Sequence, residues 1–281
     1  MTAARNKGPH AIDRAAYDLT PAVNWSTLKY ACTSALAYQH ALVAPREETD
    51  AMRLGSLVHT AVFEPEKLST EYATWTGGRR YGAVWDGFQA DCAHQTIITS
   101  EQLDTALAIA GAVQSHKVAG RLLAKGQAES TVTWRDAETG IRCKCRVDWV
   151  TTRYVVDLKT SRDIDARAFG RTAAQMLYHG QLAFYAMGLE ANGLKRKAKI
   201  IAVENAEPFD VAVYALDDDM LWAGECRVKE ALALVARCRR SHQWPGRYPK
   251  ETPLMLPSWE YPKDDDEFSM ADLGLVPAGA R

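Results

Sequence analysis

Apolar residues recur along this chain with two periods. A spacing near 3.6 residues marks amphipathic helices, and strict alternation marks half-buried strands. The helical period comes first. Asn24 or Ser26 can cap a helix that carries Leu28, Leu36 and Tyr38. After a loop at Pro45, a second helix is expected over 50–63, closed by Glu64-Pro65. Residues 72–96 hold glycine, tryptophan and arginine without clear periodicity. Ser100 opens a third helix, with Glu101 in its first turn, reaching about residue 125. Alternation then takes over at 129–134 and 141–150, joined by a turn at Glu138-Thr139-Gly140. A tight connection over 151–153 leads to a third strand, 154–160. A helix over 171–190 is ended by Asn192-Gly193. Strands at 199–204 and 209–214 flank Pro208. The last helix opens with Asp217, Asp218 and Asp219 and closes with Arg237, Arg239 and Arg240, charges that suit its macrodipole. The stretch after Ser241 is proline-rich, and Lys263 to Glu267 reads as a solvated acidic tail. This order predicts an α/β (α+β) fold with one central mixed sheet flanked by helices.

Composition narrows the class. The 281 residues are enough for one large domain or two small ones. With 47% hydrophobic and 25% charged residues, the chain matches globular proteins, which excludes disordered and collagen-like classes. Lys and Arg total 34 against 35 Asp and Glu, so any nucleic-acid partner needs a local basic surface. No apolar run approaches the ~18 residues of a membrane span. The polar N-terminal stretch lacks a secretory apolar core, so no membrane partner and a cytoplasmic location are expected. Six scattered cysteines form no C-x-x-C pair, so a structural zinc site is not expected and reduced thiols are.

The strand block carries the candidate chemistry. Side chains alternate across a strand. On 141–150, Cys143, Cys145, Val147 and Trp149 share one apolar face, and Arg142, Lys144, Arg146 and Asp148 share the other. On 154–160, Val156 and Leu158 point one way, and Asp157 and Lys159 the other. The tight connection makes these strands antiparallel neighbours, which brings Asp148 and Asp157 together with Lys159 one step along. Glu129 on the preceding strand can join that face. Carboxylates gathered in one cleft suit a hard cation such as Mg²⁺, which takes one or two of them plus waters and phosphate oxygens. The cationic row suits a phosphate backbone. An ordinary exposed sheet face of mixed charge is the other reading of the same residues.

Asp148 followed by Asp157-Leu158-Lys159 resembles the catalytic signature of the PD-(D/E)XK nuclease superfamily. The surrounding segments narrow the likeness. SHKVAGRLLAKGQAESTVTWRDAETGIRCKCRVDW, VVDLKTSRDIDARAFGR, YHGQLAFYAMGL and IIAVENAEPFDVAVYALD resemble exonuclease VIII-type nuclease domains of phage and prophage recombination. So does the WPG…LPSW ending, and the resemblance runs over roughly residues 24–260. It implies a restriction-endonuclease-like core in one domain, 24–260, after an N-terminal segment, 1–23. Within that domain a helical part, 24–127, would precede a catalytic sheet core, 128–240, with an acidic tail at 261–281.

The resemblance also implies residue roles. Asp148 and Asp157 would hold divalent metal together with the Leu158 carbonyl, and Lys159 would orient or deprotonate the attacking water. His59 in RLGSLVHTAVFEP matches a G-x-x-x-H segment whose histidine ligates metal, although a lone helix histidine is otherwise an ordinary hydrogen-bonded group. Gly55 and His59 share one helical face, and the bare glycine is expected to let that helix lie close to the sheet. A nitrogen ligand suggests that Mn²⁺ is accepted as well as Mg²⁺. Glu129 matches an active-site glutamate; its plain alternative is a carboxylate beside Arg146. Gln181 and Tyr185 match a Q-x-x-x-Y element, with Tyr178 one turn before. Thr160 and Ser161 could donate to a phosphate. Arg79, Arg80, Lys144 and Arg146 are candidate DNA contacts, with Arg53, Arg167 and Arg171 behind them. Trp75, Trp85, Trp244 and Trp259 read as packing residues. The cysteines do not match the four-cysteine pattern of related cluster-bearing nucleases, so no Fe–S cluster is expected.

The implied activity is metal-dependent exonucleolytic digestion of double-stranded DNA ends. It would run 5′→3′ and leave 3′ single-stranded tails for a single-strand annealing protein to coat. A homo-oligomeric ring, trimer or tetramer, would let Arg79, Arg80, Lys144 and Arg146 face a shared channel in spite of the net charge of -1. A structure-specific or single-strand endonuclease would use the same fold. A non-catalytic DNA-end binding module is a third reading, against which the intact Asp148, Asp157 and Lys159 set stands.

Overall fold

The computed structural model describes residues 9–10, 12, 14–45 and 48–260. The acidic tail expected over 261–281 lies outside them. The chain divides into two units, residues 1–247 and 248–281. The described part of the second carries one 3-10 turn, Ser258–Glu260, whose Glu260 N–H donates to the Pro257 carbonyl. All that follows concerns the first unit.

Its helices and strands run α1 (Arg14–Leu19), α2 (Trp25–Leu28), α3 (Ala35–Val43), α4 (Asp50–Phe63), α5 (Leu68–Glu71), β1 (Tyr72–Trp75), α6 (Ala83–Asp91), β2 (Thr96–Thr99), α7 (Ser100–Ser115), α8 (Lys117–Leu123), β3 (Gln127–Arg135), β4 (Arg142–Val150), β5 (Tyr154–Ser161), α9 (Ala166–Gln175), α10 (Tyr178–Ala191), β6 (Lys197–Glu204), β7 (Val211–Ala215) and α11 (Asp218–Ser241). The main sheet has the order β3-β4-β5-β6-β7, antiparallel except for the parallel β5/β6 pair. It is the mixed sheet the sequence predicts. β1 and β2 form a separate parallel pair. Among the described residues, no helix is long and apolar enough to cross a membrane.

Each face of the sheet builds its own core. On one side, Val132, Cys143, Cys145 and Val147 pack with Leu182, Phe184 and Leu189 of α10 and with Val228, Leu232 and Val235 of α11. α10 is apolar nearly all round because it is buried between the sheet and α11. On the other side, Val156, Leu158, Ile201 and Val203 pack with Leu57, Val58 and Ala61 of α4 and with Ile109 and Val113 of α7. Full burial of the Leu158 side chain is worth about 1.5–3 kcal/mol. It also fixes which way β5 presents its neighbours, since Asp157 and Lys159 must face the opposite side.

Three expected helices are broken in ways that serve the packing. The first is interrupted after a 3-10 turn, Lys29–Cys32, and restarts where the Ser34 hydroxyl accepts the Ala37 N–H at 3.0 Å. Asn24 caps its first part, accepting from the Thr27 N–H at 3.0 Å. The third helix breaks at His116, whose Nδ1 accepts the Ala119 N–H and so starts α8. The helix expected over 171–190 is two, α9 and α10, because Leu177 turns left-handed at φ 56 between them. That kink sends α10 across the sheet with Tyr178 and Gln181 toward β5. The aperiodic stretch 72–96 holds β1 and α6. No residue of α6 is buried; Trp85 and Phe88 instead pack on Trp75.

Residues 14–23 belong to this fold. Val23 N–H donates to the Arg142 carbonyl at 2.9 Å, and Lys144 N–H donates to the Val23 carbonyl at 2.8 Å. The Lys144 ammonium is buried and donates to the carbonyls of Tyr17, Asp18 and Thr20 at 2.6, 3.2 and 2.9 Å. It also lies over the Tyr17 ring. Three carbonyl acceptors and an aromatic face make up for the lost water around the charge. Lys144 is therefore a clamp on the N-terminal segment and presents no charge to a DNA channel.

Candidate active site

A cleft opens where β4 and β5 diverge. Only Trp149–Val156 and Val150–Val155 pair them, whereas β5 stays paired with β6 along its whole length. Part of the edge of β4 that β5 leaves is taken by Val23, which satisfies the Arg142 carbonyl and the Lys144 N–H.

The residues of the D…DxK signature meet at this fork. Asp148 reaches across it, and its Oδ2 accepts the Leu158 N–H at 2.9 Å. Lys159 Nζ lies 2.7 Å from Asp157 Oδ2 and sits over the Tyr178 ring. Gln181 Nε2 donates to Asp157 Oδ1 and to Tyr185 Oη, both at 2.8 Å. The i, i+4 pair on α10 thus orients Asp157. From the other side of the sheet, α4 delivers His59. Its Nε2 is 2.9 Å from the Leu158 carbonyl oxygen, and its Nδ1 is 3.5 Å from Asp148 Oδ2.

Glu129 arrives by a strained route. Its backbone is left-handed at φ 45 within β3, a region costly for a residue with a Cβ. The ladder skips the Glu129–Asp148 pair, although Ala128–Trp149 and Ser130–Val147 flank it. The kink corrects the expected face assignment. Trp149 does not stay with Val147; it turns into the other core and stacks on Phe63 at 6.0 Å. The Glu129 carboxylate lies 2.5 Å from Arg146 Nε, and Arg146 Nη2 is 3.9 Å from Glu64 Oε2. Arg146 is therefore an internal counter-charge of the site, which corrects its reading as a surface DNA contact.

The electrostatics ask for a cation. His59, Glu129 and Asp148 each offer a ligand atom within 4.8 Å of the others. Burial, then the nearby Asp157 charge, pushes the Asp148 carboxyl up to about 8. Burial and Asp148 push Glu129 up to about 7. Burial, with Lys159 next, keeps the His59 ring below its ordinary value, so it stays neutral and able to ligate. Burial disfavours the Lys159 charge, but Asp157 and Asp148 outweigh it and hold the ammonium above the usual lysine value. Asp157 Oδ2 is fully buried and receives no aligned hydrogen bond, even with Lys159 close by. A set of crowded carboxylates, one neutral imidazole and an unsatisfied buried oxygen fits a divalent metal. Oxygen donors suit Mg²⁺, and the imidazole admits Mn²⁺.

This crowding has a pH signature. A ligand must shed its proton before binding metal. Metal should therefore bind more tightly as pH rises toward 8, the value to which Asp148 is pushed. The rise in melting temperature on adding Mn²⁺ should be small at pH 6 and large at pH 8.5. A shift that is equal at both would show that these carboxylates are not the ligands.

Thr160 lines the same cleft of about 450 Å³, together with Lys159, Tyr178 and Gln181. Ser161 does not; its hydroxyl donates to the Asp163 carbonyl at 2.8 Å. Arg79 and Arg80 lie on the exposed loop before α6, where they stack on Tyr81 and Trp85, and they line neither side of the cleft. Arg53 pairs with Glu48 and Asp50. Gly55 also differs from expectation. A Cβ there would meet nothing within 4 Å, so the glycine brings no close approach to the sheet. It lines both sides of the cleft beside His59 and keeps it open. Gly55→Ala should stabilise the protein by about 0.5–1 kcal/mol and lower turnover, because the methyl stands in the cleft. Thermal melts and a rate assay read the two together; unchanged turnover would mean that substrate does not use this wall. Arg14, Tyr17 and Trp25, which also border the cleft, had no periodic signal to announce them.

Comparison with known proteins agrees with this geometry. The family described as PDDEXK-like domain of unknown function (DUF3799) matches residues 25–251. The crystal structure of a candidate exonuclease from Eubacterium rectale superposes with a TM-score of 0.62 at 17% identity, covering 96% of this chain and 100% of that one. A phage-related exonuclease from Haemophilus somnus 129PT has 14% identity over 79% of this chain and 96% of its own, with a TM-score of 0.34, too low to argue from. Among functionally curated proteins, none matches the sequence.

Proposed function

The chain belongs to this PDDEXK-like family, and from that premise we propose that it is a metal-dependent exodeoxyribonuclease acting on linear duplex DNA. The observation that carries the reading is the meeting of Asp148, Asp157 and Lys159 at the fork of β4 and β5, with His59 and Glu129 completing a metal-sized donor set. The fold shared with the candidate exonuclease from E. rectale supports it.

A divalent metal held by His59, Glu129 and Asp148, with Asp157 and the Leu158 carbonyl beside them, would polarise a phosphoryl oxygen and lower the pKa of a water. The chain's own groups do the rest. Gln181 fixes Asp157 through one oxygen, and Lys159 lies beside the other. Lys159 places a charge where a phosphate oxygen or an attacking water would come. Its proton is held by Asp157 and Asp148; when a cation takes over those carboxylates, that hold weakens and proton exchange with water becomes easier. Tyr178 bounds the cleft and can bond a phosphate or stack on a base, whereas Tyr185 is buried and its hydroxyl accepts from Gln181.

The finer reading follows the resemblance to recombination exonucleases: digestion 5′→3′, 3′ single-stranded tails, a single-strand annealing protein as partner and a ring of three or four subunits. The ring rests on that resemblance alone. The test is linear duplex labelled at the 5′ or the 3′ end, beside a relaxed closed circle, with Mg²⁺, Mn²⁺ or EDTA. The expected result is loss of the 5′ label first, an untouched circle and silence in EDTA. Rapid cutting of the circle would remove the exonuclease reading, and full activity in EDTA would remove the metal. Light scattering at micromolar concentration checks the ring; a monomer mass would remove it alone.

A further inference from the structure

A second cavity, of about 670 Å³, lies beside the cleft and shares Asn24 as a wall. Four arginines from three elements line it: Arg135 at the end of β3, Arg142 at the start of β4, and Arg239 and Arg240 in the last turn of α11. Arg142, Arg239 and Arg240 are exposed, and among the described residues none of the four pairs with a carboxylate. Arg135 donates one N–H to the Gly140 carbonyl, and among the described residues the rest of its guanidinium has no side-chain acceptor. Two acids in the turn between Arg135 and Arg142 are already engaged. Asp136 is buried in its own turn, accepting the Thr139 N–H and hydroxyl, and Glu138 lies 3.7 Å from Lys229. Tyr38 forms part of the wall. It is fully buried, yet its hydroxyl makes no aligned hydrogen bond, and the Arg239 guanidinium lies near it.

Uncompensated charges drawn to one hollow cost stability through mutual repulsion. A multivalent anion would offset that cost, and arginine forks match phosphate oxygens two at a time. Arg142 and Asp148 are on the same strand, six residues apart, or about 20 Å at 3.3 Å per residue. That span equals about six nucleotide steps of a strand rising 3.4 Å each. Asn24 borders both the hollow and the cleft.

We propose that the groove of Arg135, Arg142, Arg239 and Arg240 holds the phosphodiester backbone of the nucleic acid whose scissile bond lies at the metal fork, about six nucleotides away. The proposal rests on the nuclease reading above. It assigns the non-specific grip to this hollow, a place that the row of Lys144 and Arg146 does not fill.

The test measures binding of a fluorescein-labelled 20-base-pair duplex to the full-length protein in EDTA by anisotropy, from low to high NaCl. Arg142→Glu/Arg240→Glu should weaken binding about tenfold or more at low salt and reduce the slope of log affinity against log salt by about 2, near 0.9 per lost phosphate contact. Arg142→Lys/Arg240→Lys should keep most of the slope. Melting temperatures no lower than that of the unaltered protein, with and without Mn²⁺, check that both variants fold. An unchanged slope in the charge-reversed variant overturns the groove, whatever the enzyme does. Hydrolysis of the same duplex by the unaltered protein in Mn²⁺ is read separately. Arginine-dependent binding without any hydrolysis would overturn the nuclease reading and keep the groove as a nucleic-acid site.

Discussion

A Lys159→Ala variant should turn over about 10²–10⁴-fold more slowly than the unaltered protein, the range expected when a positioned proton-transfer group is lost, while keeping its fold and its metal. The second half of that expectation is the sharper one. The Lys159 ammonium lies 2.7 Å from Asp157, and a metal draws on the same carboxylates. Lysine and metal compete for that negative charge, so removing the lysine should leave metal affinity equal or higher. Titration of the melting temperature with Mn²⁺ reads affinity apart from rate. A turnover within tenfold of normal would show that Lys159 takes no part in chemistry. Lys159→Arg sorts the remaining roles, because a guanidinium keeps the charge and cannot give up its proton. Recovery would mark an electrostatic guide, and no recovery a proton carrier.

Asp148→Asn should do two opposite things: abolish metal-dependent turnover and stabilise the metal-free protein. Asp148 is pushed up to about 8, by burial first and then by Asp157. A carboxyl raised in the folded state binds a proton that the unfolded chain has already released, so stability falls as pH rises from about 4 to about 8. An amide has no charge to bury, and its oxygen can still accept the Leu158 N–H. The gain should grow through that window and level off above it. In a chain of this size each kcal/mol appears as about 2–4 °C in melting temperature. Added Mn²⁺ should reverse the ranking, since only the aspartate is a good ligand. A variant less stable than the unaltered protein at pH 8 in EDTA would show that Asp148 is not under charge strain.

Much of this site was legible in the sequence because strands announce themselves twice, by alternation and by the turns that join them. Parity put Asp157 and Lys159 on one face of β5, opposite Val156 and Leu158, and the structure keeps that division. Parity failed one strand earlier, at Trp149, because it assumes an unbroken pleat and Glu129 breaks it. The cationic row on β4 misled for a related reason. Alternation tells which side a residue takes and not what covers that side. Lys144 meets backbone carbonyls of the N-terminal segment and Arg146 meets Glu129, partners set by chain paths with no local pattern. The Gln181–Tyr185 pair was legible from its resemblance to a Q-x-x-x-Y element, yet its target, Asp157, depends on the left-handed turn at Leu177, which no preference of leucine foretells. The arginine groove draws on residues about 100 positions apart, and only folding brings Arg142 beside Arg240.

The clamp of Lys144 on residues 17–20 bears on how this domain can be cut. The family match begins at residue 25, a natural place to trim a fragment. Such a fragment would lose Val23 from the edge of β4 and all three carbonyls around the ammonium. It would strip the ammonium of its acceptors and leave an unpaired strand edge open to the next molecule, a template for self-association. Insolubility of that fragment would reveal a misplaced scissor line, and adding back a dozen residues should cure it.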